Sequence, residues 1–165
     1  MGLAEEAAYY DYEYLAGGGL RIIQENQLVG ISDQLIYPLW INPLYGRVSS
    51  PAGLRQSPIS GRNEFHDGID IAVPVGTAVV APRAGQVVAV GNSPSFGRFV
   101  RIAHGDYYMS FYAHLSGVVV AVGDYVVQGQ HFAYSGNTGW STGPHLHYGL
   151  FRGGQFVNPI GYVNL

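Results

Sequence analysis

From Tyr37 onward, short apolar runs alternate with turn-forming residues. Thr77 to Ala81, Gly85 to Val90, Phe99 to Ala103, Tyr107 to Leu115, Tyr125 to Val127, Gln130 to Tyr134 and His145 to Phe151 carry many Val, Ile, Tyr and Phe, residues that suit a pleated, half-buried surface. Gly91-Asn92-Ser93-Pro94 and Ser135-Gly136-Asn137 separate such runs and read as turns. Strands this closely spaced leave no room for crossover helices, so the pattern predicts an all-β domain on an antiparallel sheet.

Upstream the pattern changes. The first fifteen or so residues are acidic and Tyr-rich, and Gly17-Gly18-Gly19 follows as a break. Leu20 to Leu35 reads as either a short helix or a strand. The expected organisation is a short irregular, partly flexible extension over 1–43 and one domain over 44–165.

Composition narrows the function. A chain of 165 residues can bury a core without disulfides, and the absence of Cys excludes thiol catalysis and Cys-bound metal. A formal charge of -3, with scattered Arg and no Lys, leaves no electrostatic footprint for nucleic acid. Val118 to Val122, the longest apolar run, is strand-sized and falls far short of the roughly 18 residues of a membrane-spanning helix. Met1 to Leu20 carries Glu5, Glu6, Asp11 and Glu13 and lacks the basic start and apolar core of a secretory signal.

The candidate chemistry lies in the histidines. In His145-Leu146-His147 both imidazoles would point to one face of a strand, close enough to share a small site. Spacing alone does not say which of them would be a ligand. In His66-Asp67-Gly68-Ile69-Asp70, a straight strand would hold His66 and Asp70 about 13 Å apart, and the β-branched residues and Pro74 disfavour a helix. A loop through Gly68 that brings His66 back to Asp70 at the start of a strand remains. His114 ends the apolar run Phe111-Tyr112-Ala113-His114-Leu115 and, counted by twos, shares a face with Tyr112. His104 and His131 read as turn and surface residues. Gly139-Trp140-Ser141-Thr142-Gly143 matches a serine-hydrolase nucleophile elbow, but Pro144 and a strand follow where a helix should, and no acid occurs after Ser141.

Together, His66-x-x-x-Asp70, Tyr112-Ala113-His114-Leu115 and Ser141-Thr142-Gly143-Pro144-His145-Leu146-His147 resemble the lysostaphin-type (LytM-type) zinc metallopeptidases over Gly46 to about Tyr162. The resemblance implies one zinc per chain held by His66, Asp70 and His147, with His114 and His145 as the catalytic pair. It implies hydrolysis of peptide bonds in peptidoglycan stem peptides or cross-bridges, outside the cytoplasm, and hence an export signal or anchor beyond this segment. The alternative is a silent or latent zinc-binding scaffold that binds a cell-envelope protein partner. Two positions depart from the family pattern. Ala52 stands where Phe is usual, and Gly149 stands where Glu often follows H-x-H, so a groove widened or neutralised at Gly149 is expected. In some members an upstream segment places an Asn at the metal, and Asn42 is the candidate for that role here.

Overall fold

A computed structural model describes residues 12–15, 19–22 and 40–165. Residues 1–11, 16–18 and 23–39, which hold most of the acidic opening, Gly17 and Gly18 of the break and the part of Leu20 to Leu35 beyond Ile22, lie outside the described residues. Within the extension, β1 (Tyr12–Leu15) and β2 (Gly19–Ile22) form an antiparallel pair, so the segment is not wholly irregular.

The strands of the main domain are β3 (Arg47–Ser50), β4 (Gly53–Gln56), β5 (Asn63–His66), β6 (Ile69–Ala72), β7 (Ala78–Val80), β8 (Gly85–Ser93), β9 (Gly97–Ala103), β10 (Tyr108–Leu115), β11 (Gly117–Val118), β12 (Tyr125–Val126), β13 (His131–Tyr134), β14 (His145–Arg152) and β15 (Gln155–Val157). The large sheet runs β12-β8-β9-β10-β14-β6-β3, antiparallel throughout. Beyond the end of β6, β15 continues along the same edge of β14. A three-stranded sheet, β11-β13-β7, and the hairpin β4-β5 complete the domain.

Period-2 alternation assigns the two faces of the large sheet. Ile69 and Ile71 of β6, Leu146 and Tyr148 of β14, and Tyr112 of β10 point into the core, where they meet Val79 and Phe132 of the small sheet. The Tyr112 and Phe132 rings cross edge to face at 4.7 Å. The alternate residues, Asp70, His145 and His147, therefore share the opposite face. Burial of the core residues drives folding, and the alternation makes that burial place three polar groups together.

Most of the expected strands are present, with one instructive difference. Gly91-Asn92-Ser93 is not a turn but the end of β8, paired with β9 as far as Ser93 with Gly97. Gly91 sits opposite Phe99, and a Cβ there would meet Phe99 Cζ at 2.6 Å. The glycine is needed for close approach to an aromatic ring, not for a bend. The turn falls later and carries Ser95 and Phe96 to the tip of the hairpin.

Residues 40–44 pack on the domain. Trp40 meets the edges of His104, Tyr108 and Tyr162, and Leu44 joins the core. Asn42 donates from Nδ2 to the Asn164 carbonyl at 2.8 Å and accepts the Asn164 N–H at 2.7 Å. Both ends of its side chain are thus bound at the C-terminus. The expectation that Asn42 reaches the metal site is not met.

Candidate metal centre and groove

His147 lies between Ala113 of β10 and Asp70 of β6 in the sheet register. Direct cross-strand partners on one face have neighbouring Cβ atoms, so pairing alone delivers Asp70 to His147. His66 arrives from the β4-β5 hairpin, through the loop at Asp67 and Gly68 that the sequence predicts. A Cβ on Gly68 would lie 2.6 Å from the Tyr148 carbonyl oxygen and 2.8 Å from His147 Nε2. Only glycine lets this loop lie against β14.

Three ligand-type atoms converge. His66 Nε2 is 3.1 Å from Asp70 Oδ1 and 3.1 Å from His147 Nδ1, and His147 Nδ1 is 3.1 Å from Asp70 Oδ1. Such a triangle admits a point about 2 Å from every corner, the usual zinc–nitrogen and zinc–oxygen distance. Nδ1 of His66 donates to the Pro51 carbonyl at 2.8 Å, which leaves Nε2 bare and facing a carboxylate oxygen. A proton on His147 Nδ1 could bridge to only one of these two acceptors at a time, whereas a cation serves all three. His66 and His147 are 5% and 4% exposed, so water does not relieve the crowding. The donor set fits a metal ion, and among the described residues it is the one group of at least three His, Asp or Glu that could hold one.

The charges agree with this geometry. Burial pushes the Asp70 carboxyl up, but the bonds to His147 and His66 outweigh it and hold the group well below the usual carboxylate range. Burial alone would lower His147, and the carboxylates of Asp67 and Asp70 raise it instead. Arg55 Nη1 lies 3.4 Å from Asp70 Oδ2, and its Nε donates to Glu64 at 2.9 Å. One Asp70 oxygen thus faces the guanidinium while the other faces the imidazoles. Arg55 went unnoticed in the sequence because its contact with Asp70 joins the separate β4-β5 hairpin to the large sheet.

His114 departs from the expected alternation. Tyr112 pairs with Val100 but Leu115 with Arg98, so β10 holds one extra residue there. At this bulge His114 adopts φ 60. Tyr112 and Leu115 both stay in the core, while His114 swings onto the opposite face with Ala113 and His147. Its ring centroid lies 4.7 Å from that of His145 and 6.2 Å from that of His147. His114 Nδ1 donates to the Thr138 carbonyl at 2.7 Å, and His145 Nδ1 donates to the Gly143 carbonyl at 2.7 Å. Both imidazoles consequently present a bare Nε2 when neutral, and burial pushes the His114 pKa down to about 4. Thr138 is a second residue that sequence reading missed, since a backbone carbonyl carries no signal in residue type.

An open groove of about 870 Å³ lies over these groups. Pro58, Ile59, Phe96 and Trp140 are among the residues that line it. Ser141 Oγ donates to the Gly143 carbonyl at 2.9 Å, so Ser141 supports the loop under His145. Gly149 does not widen the groove as expected. It is buried, and a Cβ there would lie 2.9 Å from the Asp67 carbonyl oxygen. His104 is not a surface residue either. It is fully buried, donating from Nδ1 to the Ala84 carbonyl and accepting at Nε2 from Ser110.

The large sheet and the β4-β5 hairpin together gather two imidazoles and a carboxylate around one point, with the His114 and His145 rings beside them in an open groove, the arrangement of a metal-dependent hydrolase. Residues 64–159 match Peptidase family M23, and the chain belongs to that family of metallopeptidases. It is 46% identical over 106 residues to the peptidoglycan DD-endopeptidase ShyA of Vibrio cholerae, covering 64% of this chain and 25% of that one. A zinc-containing peptidase from Vibrio cholerae superposes with TM-score 0.66 at 33% identity, covering 73% of this chain and 37% of the other. The catalytic domain of the antimicrobial peptidase lysostaphin from Staphylococcus simulans superposes with TM-score 0.65 at 32% identity, covering 71% of this chain and 91% of that domain. The chain spans about a quarter of the length of the curated relatives it matches. No helix among the described residues is long and apolar enough to cross a membrane.

Proposed function

We propose that this domain is a zinc-dependent endopeptidase that hydrolyses peptidoglycan stem-peptide cross-links outside the cytoplasm. The observation that carries the reading is the 3.1 Å triangle of His66, Asp70 and His147 with the rings of His114 and His145 beside it. The preference for stem-peptide links over oligoglycine bridges is supported by the similarity to proteins named DD-endopeptidases.

In this proposal His66, Asp70 and His147, which line the groove, would hold one zinc ion. Zinc bound there would polarise the scissile carbonyl and lower the pKa of water towards neutrality. His114, held neutral by burial, has its bare Nε2 available to accept a proton from the attacking water and pass it to the leaving amine. His145 faces His114 across 4.7 Å and, once protonated, donates to the developing oxyanion. The five positions are all filled by residues fit for these roles, which favours an enzyme over a silent scaffold that binds an envelope protein.

The test is digestion of purified peptidoglycan with direct stem-peptide cross-links, followed by mass analysis of the products. Cross-linked dimers should fall to monomers, a chelator should stop the reaction and zinc should restore it. Intact dimers after incubation with the zinc-loaded chain would count against catalysis on this substrate.

A further inference from the structure

His147 Nε2 is buried and has no hydrogen-bond partner among the described residues, while Nδ1 of the same ring belongs to the metal triangle. The ionic neighbour of Nε2 is Asp67 Oδ1 at 3.5 Å, just beyond hydrogen-bonding range. We propose that Asp67 is a positioning residue of the metal centre, whose carboxylate takes the Nε2–H of His147 and keeps Nδ1 turned towards His66 and Asp70. The inference rests on the zinc reading of the site given above.

A neutral imidazole carries one N–H, so whichever nitrogen is bonded outward decides which lone pair faces inward. A carboxylate behind a metal-binding His fixes the tautomer and ring orientation and raises the basicity of the ligand nitrogen. Asp67 stands on the side of the ring away from the triangle, so its place is behind the ligand and not beside it. Its side chain is 45% exposed, while that of His147 is 5% exposed, so the carboxylate reaches the buried imidazole from the solvent side.

The backbone is shaped for this approach. A Cβ on Gly149 would stand 2.9 Å from the Asp67 carbonyl oxygen, and one on Gly68 would stand 2.7 Å from His147 Cε1. The two glycines let the Asp67 loop close onto β14. A shift of about half an ångström would complete the hydrogen bond.

The experiment uses the full chain with ¹⁵N-labelled imidazoles, alongside Asp67→Ala and Asp67→Asn. In the metal-free protein at alkaline pH, Asp70 and His66 draw the His147 proton to Nδ1 and Asp67 draws it to Nε2, so long-range ¹H–¹⁵N spectra should find a substantial Nε2–H population. Asp67→Ala should lose that population, and Asp67→Asn, which keeps an acceptor oxygen, should retain it. Competition with a chromophoric chelator should then find zinc bound roughly 10–100-fold more weakly by Asp67→Ala, with the melting temperature of the metal-free chain unchanged. An identical His147 tautomer in the parent and Asp67→Ala, or zinc affinities within about twofold of each other, would overturn the proposal. A parent chain that binds no zinc would sink the zinc reading itself, and the tautomer comparison would still decide the role of Asp67.

Discussion

Nε2 of His66 lies 3.1 Å from Nδ1 of His147 across 81 positions of sequence, and each is also 3.1 Å from the same oxygen of Asp70. Three polar atoms that would repel or compete in a dry pocket are held together by sheet register and one glycine loop. On the proposed reading the three ligands and the two remaining imidazoles divide the labour, and that division can be measured.

The two halves of His145-Leu146-His147 should behave differently. His147→Ala removes a corner of the triangle and should abolish both stoichiometric zinc and hydrolysis. His145→Ala leaves the triangle intact, so zinc should remain while the rate falls roughly 10²–10⁴-fold. Metal analysis beside a cross-link cleavage assay reads both, and equal zinc loss in the two variants would make His145 a ligand as well.

At His114, function and stability should separate. A non-glycine residue at φ 60 costs roughly 1–3 kcal/mol. Both His114→Gly and His114→Ala should lose activity, but the glycine variant should be the more stable by about 1 kcal/mol. Urea unfolding of the metal-free chains tests this, and an alanine variant as stable as the glycine one would argue that the bulge relaxes.

Gly68→Ala should damage the site through packing. The added methyl meets the Tyr148 carbonyl oxygen and the His147 ring at under 3 Å, and main chain cannot yield as a side-chain tip can. A loss of about 1–3 kcal/mol in unfolding free energy is expected, together with weaker zinc binding as the loop lifts His66 away. Unchanged zinc affinity would show that the loop closes without the glycine.

Stability should fall in mild acid through His104. Burial pushes its pKa from an ordinary 6.5 down to about 3, so the folded chain keeps it neutral where the unfolded chain is protonated. The unfolded state then binds more protons between those values. This contribution is full above pH 6.5 and is lost progressively towards pH 3, with a slope of at most about 1.4 kcal/mol per pH unit. His114, depressed to about 4, adds in the same direction. His104→Gln should be less stable at neutral pH and show a shallower dependence. An equally steep one would assign the acid sensitivity elsewhere.

Much of this was legible in the residues themselves. Alternation in His145-Leu146-His147 and in Ile69-Asp70-Ile71 sets polar groups on one face and apolar groups on the other, because a pleated strand has a period of two and the core accepts only the apolar set. Gly68 announced the bend that brings His66 round, because a β-branched sequence that cannot coil must turn at its glycine. What the tertiary structure decided lies where neighbours override the local rule. His114 leaves its expected face because β9 and β10 pair out of step around it, and a bulge is a property of two strands. Gly149 and Gly91 look permissive in sequence, yet each is fixed by the group pressed against it. His104 passes for a turn residue until Ala84 and Ser110 close over its two nitrogens. The tautomers of His66, His114 and His145 depend on the carbonyls of Pro51, Thr138 and Gly143. Every residue carries a carbonyl, so only folding determines which one an imidazole meets.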